Sequence, residues 1–365
     1  MFKPKANIEK VFRTPPDTGS RRGFLRLDKN DRLIPFPKEI WNRFMELFDE
    51  TTVMTYPEQE EFYRKLALYI GVPREHLLLS LGSDLAIKMV YETFIDAGQE
   101  VQLHLPSYAM YSVYNNIFQA DASSISFNEY LKLDIQKFIN SISNKTRLVV
   151  VENPNGFIGE KLEFEDLKRI AEKAYSTDTI FLIDEAYYQF MGDTSQELYL
   201  EFENVIIVRS FSKDFGMAGL RCGYLLSQKQ NIDMLYRVKP MNETNSAAIA
   251  FGLAVLDYPN LIQDYIEVVK KNIIFLKSAL SSLGFTTAGG NGNFIIIYVG
   301  GAIDRIIQML KNRGVLVRRP FQVESLHGWL RVGIGTKSDM ERFIDCFKKV
   351  YNVLNIDNEP PPKPW

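Results

Sequence analysis

Residues 205–226 read VIIVRSFSKDFGMAGLRCGYLL, and this stretch decides the fold. It opens with an apolar run, Val205–Val208, passes through a polar turn that carries Lys213, and closes with a second apolar run, Tyr224–Leu226. Short runs of β-branched residues and leucine between turn residues indicate strands that are buried on both faces. The stretch therefore predicts two core strands joined by a serine- and glycine-containing connection with a lysine at its centre.

Further apolar runs recur upstream and are separated by helical stretches. They lie at Leu78–Leu79, Val101–Leu105, Leu148–Val151 and Ile180–Ile183. Continuous apolar strands that alternate with helices predict a mostly parallel sheet with crossover helices on both faces. We therefore expect an α/β fold whose large domain has three layers, α/β/α.

The pattern changes after residue 240. Apolar residues from Ile262 to Leu283 step by four and three, which predicts one long amphipathic helix. Shorter elements follow, with strands at Phe294–Val299, Val315–Val317 and Trp329–Ile334 and helices at Ile303–Lys311 and Asp339–Leu354. We expect an arm (1–36) that packs on the small domain or a dimer interface, a large domain (37–240), a small α+β C-terminal domain (241–355) and a proline-rich tail (356–365).

Composition narrows the classes of protein. The chain has 365 residues, 46% of them hydrophobic, and its 43 basic and 45 acidic residues nearly balance. This balance gives no electrostatic reason to expect nucleic acid or a membrane surface as a partner. Two cysteines without CxxC spacing favour a reducing, cytoplasmic compartment, and three scattered histidines argue against a metal site.

Polar residues follow several of the predicted strands, where open parallel sheets bind ligands. A phosphorylated aldehyde cofactor would need a lysine to form an imine and a carboxylate for its ring nitrogen. It would also need an aromatic face, and a helix N-terminus with hydroxyls and a guanidinium for its phosphate. The strand ends offer a candidate for each need: Lys213, Asp184, Tyr108, Ser83, Asp84, Ser210, Ser212 and Arg221.

The run from Ser210 to Tyr224 resembles the S-x-S-K-x-x-G-x-x-G-x-R-x-G signature of the class I/II aminotransferases, enzymes of fold type I that depend on pyridoxal 5′-phosphate. The segment Asp184–Tyr187 is similar to the DEAY segment of that family. Over about residues 25–352 the chain resembles the histidinol-phosphate aminotransferase branch, whose relatives include threonine-phosphate decarboxylases. The resemblance implies pyridoxal 5′-phosphate as cofactor and amines or amino acids as substrates.

The resemblance also implies roles for matching residues. Lys213 would bind the cofactor and shuttle protons, Asp184 would pair with the ring nitrogen, and Tyr187 would bond the phenolic oxygen. Further cofactor contacts would come from Ser83, Asp84, Tyr108, Ser210, Ser212 and Arg221. A tyrosine matching Tyr56 reaches the phosphate across a subunit interface in the family, which implies a homodimer with shared active sites. The substrate would meet Asn30, Arg318, Arg319 and Arg331.

Two departures from the family pattern bear on the site. The family asparagine that bonds the phenolic oxygen falls on Gly156, and we expect Asn155 to take its role through a one-residue shift. Arg32 stands in the arm, where we expect it to face the substrate. An arginine there suggests a substrate other than histidinol phosphate.

Transamination between an amino-acid donor and a small phosphorylated keto or aldehyde acceptor is the first interpretation. Decarboxylation of a phosphorylated amino acid, such as phosphoserine or phosphothreonine, remains the alternative, since sequence does not fix where the substrate carboxylate is held. A cofactor-binding regulatory module would call for a basic helix-turn-helix extension, and a dinucleotide-binding dehydrogenase for G-x-G-x-x-G after the first strand; the sequence supplies neither.

Overall fold

The computed structural model describes residues 2–9, 11–13, 19–320 and 323–354. The predicted tail, 356–365, lies outside the described residues. The strands are β1 (Leu25–Arg26), β2 (Leu77–Ser80), β3 (Glu100–Leu105), β4 (Asp121–Ser126), β5 (Thr146–Glu152), β6 (Ile180–Asp184), β7 (Val205–Ser210), β8 (Gly223–Leu226), β9 (Thr287–Ala288), β10 (Phe294–Tyr298), β11 (Val315–Leu316) and β12 (Trp329–Gly333).

The α-helices alternate with these strands in the first two thirds of the chain. They are α1 (Ala6–Glu9), α2 (Lys38–Leu47), α3 (Glu50–Met54), α4 (Glu60–Ile70), α5 (Gly82–Phe94), α6 (Ala109–Phe118), α7 (Ile135–Ser141), α8 (Phe164–Ser176), α9 (Tyr188–Met191), α10 (Gln196–Glu201), α11 (Lys229–Val238), α12 (Ser246–Leu256), α13 (Pro259–Ser281), α14 (Ile303–Asn312) and α15 (Lys337–Leu354). Among them, no helix of the described residues has the length and apolar character to cross a membrane.

The central sheet has seven strands in the order β2-β8-β7-β6-β5-β3-β4. Strand β8 runs antiparallel to β2 and β7, and the other neighbours pair in parallel. Side chains alternate between two hydrophobic cores, one on each face: Val149 and Val151 lie in one, and Leu148 and Val150 in the other. Both faces of β5 are therefore buried, which explains its continuous apolar run.

The structure confirms the mostly parallel sheet predicted from the apolar runs and adds one strand that the sequence did not reveal. Strand β4 reads DASSIS and lies half exposed at the edge of the sheet. Because its side chains are largely exposed, β4 lacks the apolar run by which the other strands were recognised.

Smaller sheets follow in the C-terminal part. Strands β12, β10 and β9 form an antiparallel sheet, and β1 pairs in parallel with β11, with Leu25 opposite Val315. The backbone N–H of Gly333 donates to the carbonyl of Leu27 at 2.8 Å. The segment around β1 thus hydrogen-bonds to residues of the C-terminal part. The seven-stranded and three-stranded sheets fall within the ranges 37–240 and 241–355, whose exact boundaries remain predictions.

Candidate active site

A cavity of about 330 Å³ opens at the carboxyl ends of the central strands. Strands β5, β6 and β7 end there, β8 begins there, and helices α5 and α6 begin there. The cavity brings together most of the predicted site residues: Asn30, Ser83, Asp84, Tyr108, Asp184, Tyr187, Ser210, Ser212, Lys213, Arg221, Arg318 and Arg331. Its size suits a small cofactor or substrate.

Lys213 lies on the turn after β7, and its amine points toward the arm. Its Nζ donates to the carbonyl oxygens of Lys29 and Asn30, at 3.2 and 3.3 Å. The Nζ lies 5.5 Å from the centre of the Tyr187 ring. Within the described parts of the chain no carboxylate lies within 4.0 Å of this amine, so it is held by weak neutral acceptors and is free to react with a ligand.

Asp184 ends β6 and is buried in the wall of the cavity. Its carboxylate accepts hydrogen bonds from the Tyr111 hydroxyl at 2.9 Å and from the backbone N–H of Ala186 at 3.1 Å. Burial raises the pKa of Asp184 to about 6, against the effect of these two donors. A cationic N–H group in the cavity would stabilise the ionised carboxylate, and a protonated pyridine nitrogen is such a group.

The start of α5 and the Arg221 side chain form an anion cradle. Gly82 has φ +75°, and a Cβ added to it would lie 2.8 Å from Arg221 Nη2. The guanidinium of Arg221 also donates to the Ser212 hydroxyl at 3.4 Å. The N-terminal amides of a 13-residue helix, two serine hydroxyls and a guanidinium are the groups that bind a phosphate in proteins. A side chain at position 82 would therefore require the guanidinium to shift.

Tyr187 and Asn30 meet on another wall. Asn30, at φ 55°, donates from Nδ2 to the Tyr187 hydroxyl at 2.9 Å and is buried. The backbone carbonyl of Asn30 accepts from Asn293 Nδ2 at 3.0 Å, which holds the turn in place. Because the Tyr187 oxygen accepts this bond, its own O–H can donate to a ligand in the cavity.

Arg331 and Arg318 supply positive charge at the side opposite the central sheet. Their backbones form an antiparallel bridge, and both side chains line the cavity. Arg331 is buried and donates to two carbonyl oxygens, of Gly156 at 3.0 Å and of Asp28 at 3.1 Å. Its Nε has no partner in the part of the chain that the structure describes. Burial lowers the pKa of Arg331 to about 10, and an anionic ligand would offset this cost.

Two arginines do not reach the cavity, which corrects the expectations made for them. Arg319 forms an ion pair with Asp304 at 2.5 Å, since consecutive residues of an extended segment point to opposite sides. Arg32 lies between the rings of Phe36 and Tyr265, at 4.0 and 3.9 Å from their centres. Its side chain packs against the protein core instead of facing the substrate, so it gives no ground for excluding histidinol phosphate.

The expectation for Asn155 is also wrong. Its side chain donates to the Pro106 carbonyl at 2.9 Å and accepts from the backbone N–H groups of Phe157 and Ile158, each at 2.9 Å. All three contacts stabilise the loop after β5, and the side chain is 1% exposed. Gly156, in contrast, lines the cavity. The position where the family asparagine was expected is therefore occupied by a residue without a side chain.

Tyr56 lies away from the cavity of its own chain and is 83% exposed. Several large apolar side chains between α2 and Tyr56 are exposed as well, namely Trp41, Met45, Val53 and Met54. The contact of Tyr56 with a neighbouring subunit stays a prediction.

Sequence reasoning missed one buried acid in this cavity. Glu152 ends β5, lines the cavity and is 5% exposed. The rule that pointed to Asp184 would have found it, because Glu152 directly follows the predicted strand Leu148–Val151.

Comparison with known proteins agrees with this geometry. The family model described as aminotransferase class I and II matches residues 22–347. The histidinol-phosphate aminotransferase of Thermoanaerobacter pseudethanolicus is 32% identical over 328 residues, which cover 89% of this chain and 92% of that protein. The histidinol-phosphate aminotransferase of Clostridium novyi is 28% identical, covering 93% and 97%.

Solved structures show the same fold at lower identity. The histidinol-phosphate aminotransferase of Sinorhizobium meliloti in complex with pyridoxal-5′-phosphate has a TM-score of 0.88 at 18% identity, covering 97% of this chain and 99% of that one. The L-threonine-O-3-phosphate decarboxylase of Porphyromonas gingivalis has a TM-score of 0.77 at 19% identity, covering 90% and 99%. These likenesses confirm the α/β fold predicted from the sequence.

Proposed function

The chain belongs to the aminotransferase class I and II family, and on this premise we propose that it transfers an amino group between an amino-acid donor and a small phosphorylated keto or aldehyde acceptor. It is an enzyme that depends on pyridoxal 5′-phosphate. The observation that supports the proposal most directly is one cavity that holds a reactive lysine, a buried aspartate and an anion cradle. These three groups match the aldehyde, the ring nitrogen and the phosphate of that cofactor.

Each residue of the cavity has its own role in the proposed reaction. When bound, pyridoxal 5′-phosphate supplies a conjugated, protonated ring that withdraws electrons from the substrate α-carbon. Lys213 would hold the cofactor through its amine, and the same amine would move the proton at the substrate α-carbon. Asp184 would keep the proton on the ring nitrogen. Tyr187, oriented by Asn30, would donate to the phenolic oxygen, and Tyr108 would cover the ring face.

The phosphate of the cofactor belongs in the cradle. Arg221 and the hydroxyls of Ser210 and Ser212 bind its oxygens, together with the backbone amides of Ser83 and Asp84. In support of this role, the Arg221 guanidinium lies directly against Gly82, at the N-terminus of α5.

The substrates carry anionic groups in this proposal, a carboxylate on the amino-acid donor and a phosphate on the acceptor. Arg331 and Arg318 lie together and, within the described residues, have no carboxylate within 4.0 Å, so they offer two guanidinium groups to carboxylate or phosphate. The curated relatives at about 30% identity are histidinol-phosphate aminotransferases, which supports a phosphorylated acceptor and favours transamination over decarboxylation. Histidinol phosphate is accordingly the first phosphorylated amine to test, and its keto partner is the first acceptor.

The working form is a cytoplasmic homodimer with shared active sites. The exposed apolar side chains of α2 and α3 are a surface that a second copy would cover, and Tyr56 follows this surface in the chain. The two free cysteines, Cys222 and Cys346, suit a reducing compartment. Analytical ultracentrifugation tests the dimer.

A half-reaction read by cofactor absorbance tests the function. With pyridoxal 5′-phosphate bound, glutamate or alanine should convert the absorbance of the lysine-linked cofactor to that of its amine form, and histidinol phosphate, serinol phosphate or their keto partners identify the second substrate. Lys213→Ala should lose the lysine-linked absorbance and turnover. Release of CO₂ from phosphoserine or phosphothreonine, without amine transfer, would overturn transamination in favour of decarboxylation.

A further inference from the structure

Two buried carboxyl groups face the same cavity from adjacent strands. Glu152 and Asp184 are the last residues of β5 and β6, and their Cα atoms are register partners in the parallel ladder. Partners on neighbouring strands point to the same side of the sheet. Asp184 has a role in the proposed function, whereas nothing in that function uses Glu152.

The Glu152 carboxyl group is held by backbone donors alone. One oxygen accepts from the N–H of Tyr108, and the other accepts from the N–H of Gly156 at 3.1 Å. Across residues 19–320 and 323–354, no lysine, arginine or histidine forms an ion pair with it. The backbone N–H of Glu152 itself donates to His104 Nε2 at 2.9 Å, and burial lowers the pKa of His104 to about 4, so this imidazole is neutral.

Burial and the neighbouring Asp184 raise the pKa of Glu152 to about 8, despite the two backbone donors. The pKa of Asp184 rises only to about 6. The two acids therefore titrate as a coupled pair, in which burial favours the retention of one proton near neutral pH and the higher pKa favours Glu152 as its carrier. The charged or titratable groups around Glu152 are Asp184, Tyr108, Tyr111, Tyr187, His104 and the cavity cations Lys213 and Arg331.

A protonated carboxyl group has one O–H to donate. Both protein partners of Glu152 are N–H groups, which cannot accept it. The donor is therefore available to a ligand in the cavity. This distinguishes Glu152 from Asp184, whose ionised form is an acceptor only.

Gly156 leaves open the space beside this donor. A Cβ added to Gly156 would lie 3.2 Å from Glu152 Oε2 and 3.4 Å from a ring carbon of Tyr187. Glu152, Gly156 and Tyr187 thus form one wall of the cavity, whereas Gly82, Ser212 and Arg221 form the phosphate cradle. In pyridoxal 5′-phosphate the phenolic oxygen and the phosphate arm flank the aldehyde-bearing carbon on opposite sides. With the phosphate in its cradle, the phenolic oxygen faces the wall that contains Tyr187.

We propose that Glu152 contacts the cofactor, donating a hydrogen bond from its carboxyl group to the phenolic oxygen beside Tyr187. The inference rests on the proposed function, since it needs the cofactor in this cavity. It also explains why Gly156 can stand where an asparagine was expected: the donor comes from the end of β5 and enters the space that Gly156 leaves free.

This hydrogen bond has a measurable effect on the lysine-linked cofactor. A neutral donor stabilises negative charge on the phenolic oxygen, so the nearby nitrogen of the linkage loses its proton more easily. The pH midpoint of the cofactor absorbance is therefore lowered. A carboxylate at the same place would act in the opposite direction, because its negative charge retains the proton and raises the midpoint.

Two variants of similar volume separate these cases. Glu152→Gln keeps a neutral donor, and Glu152→Met removes it. The absorbance of the cofactor-loaded proteins is titrated between pH 5 and 10. We expect Glu152→Gln to keep the wild-type midpoint and Glu152→Met to raise it by about 1 to 2 pH units, the equivalent of one hydrogen bond to a charged group.

The outcomes are distinct from those of the proposed function. If the wild type shows no Lys213-dependent absorbance, the cofactor assignment itself fails. If the wild type shows this absorbance, an unchanged pH midpoint in both variants overturns the role of Glu152. A lowered midpoint in both variants also overturns it, because it shows that the Glu152 side chain is ionised. If circular dichroism shows that Glu152→Met does not fold, infrared spectroscopy tests the proposal instead. The cofactor-loaded wild type must then show the band of a protonated carboxyl group at neutral pH, and Glu152→Gln must lack this band.

Discussion

The hydroxyl of Tyr111, on α6, donates to Asp184 Oδ2 at 2.9 Å from within the protein core. Tyr111 is buried, and it supports the carboxylate that we propose to pair with the ring nitrogen of the cofactor. The bond favours the ionised form of Asp184 and so opposes the effect of burial on its pKa. Tyr111 does not line the cavity, but its hydrogen bond favours the ionised form of Asp184, which does.

Tyr111→Phe should therefore weaken cofactor binding. Losing a hydrogen bond to a charged group is expected to raise the dissociation constant of pyridoxal 5′-phosphate about tenfold or more. Equilibrium dialysis measures it. Tyr91→Phe is the matched control, since it removes a buried hydroxyl bonded to Asn115 at 2.8 Å, away from Asp184. Equal affinities in the two variants would contradict the role of Tyr111.

Gly82→Ala should damage the phosphate cradle. Its Cβ would meet Arg221 Nη2 at 2.8 Å, so the guanidinium must move. We expect the dissociation constant of pyridoxal 5′-phosphate to rise at least about tenfold, and that of pyridoxal, which has no phosphate, to change about twofold. Gly98→Ala is the control, because Gly98 also has a positive φ, +82°, but no atom within 4 Å of the added carbon. A similar loss for both ligands would argue against phosphate binding here.

Arginine-to-lysine substitutions should weaken substrate binding at Arg331 but not at Arg319. Arg331→Lys loses the planar fork that holds an anion and is expected to raise KM for the phosphorylated acceptor about 10- to 100-fold. Arg319→Lys should stay within about twofold, since Arg319 pairs with Asp304 outside the cavity. Steady-state kinetics with a phosphorylated and an unphosphorylated acceptor measure both. An equal effect in the two variants would mean that the guanidinium at 331 does not bind substrate.

The stability of the cofactor-free protein should fall as pH rises from about 5 to 8. Burial raises the pKa of Glu152 to about 8, of Asp214 to about 7 and of Asp184 to about 6, so the folded state holds protons that the unfolded state has lost. The free energy of unfolding then decreases with pH.

Urea denaturation at several pH values tests this dependence. Glu152→Gln should flatten the decrease by up to about 1.4 kcal/mol per pH unit, the share of one proton. Glu172→Gln, which changes an exposed acid on α8, serves as the reference and should keep the wild-type slope. A Glu152→Gln slope equal to that of the wild type would show that the Glu152 pKa is not raised.

Strand ends were the part of the site that the sequence could predict. Asp184 and Lys213 each follow an apolar run, and the ends of parallel strands meet at one edge of the sheet. Strand β4 escaped prediction because its side chains are largely exposed and form no apolar run. The sequence could not predict which way the Arg318 and Arg319 side chains point either, because this depends on how their extended segment packs against the rest of the protein.

Side-chain partners across long sequence distances were the least predictable. Asn30 and Tyr187 are 157 positions apart and meet only because β1 pairs with β11 and brings the arm over the cavity. Asn155 and Gly156 show the same limit at short range: the family pattern named the right loop, while the hydrogen bonds of Asn155 turned its side chain away from the cavity. The role of Tyr56 stays a prediction, since it calls for a second chain.

The backbone from Asp28 to Asn30 accepts hydrogen bonds from two cations of the cavity. Arg331 donates to the Asp28 carbonyl, and Lys213 to those of Lys29 and Asn30. A ligand that binds either cation, an anion at the guanidinium or an aldehyde at the amine, therefore has to replace a hydrogen bond to this backbone. Three consecutive residues of the arm thus compete with incoming ligands at both cations.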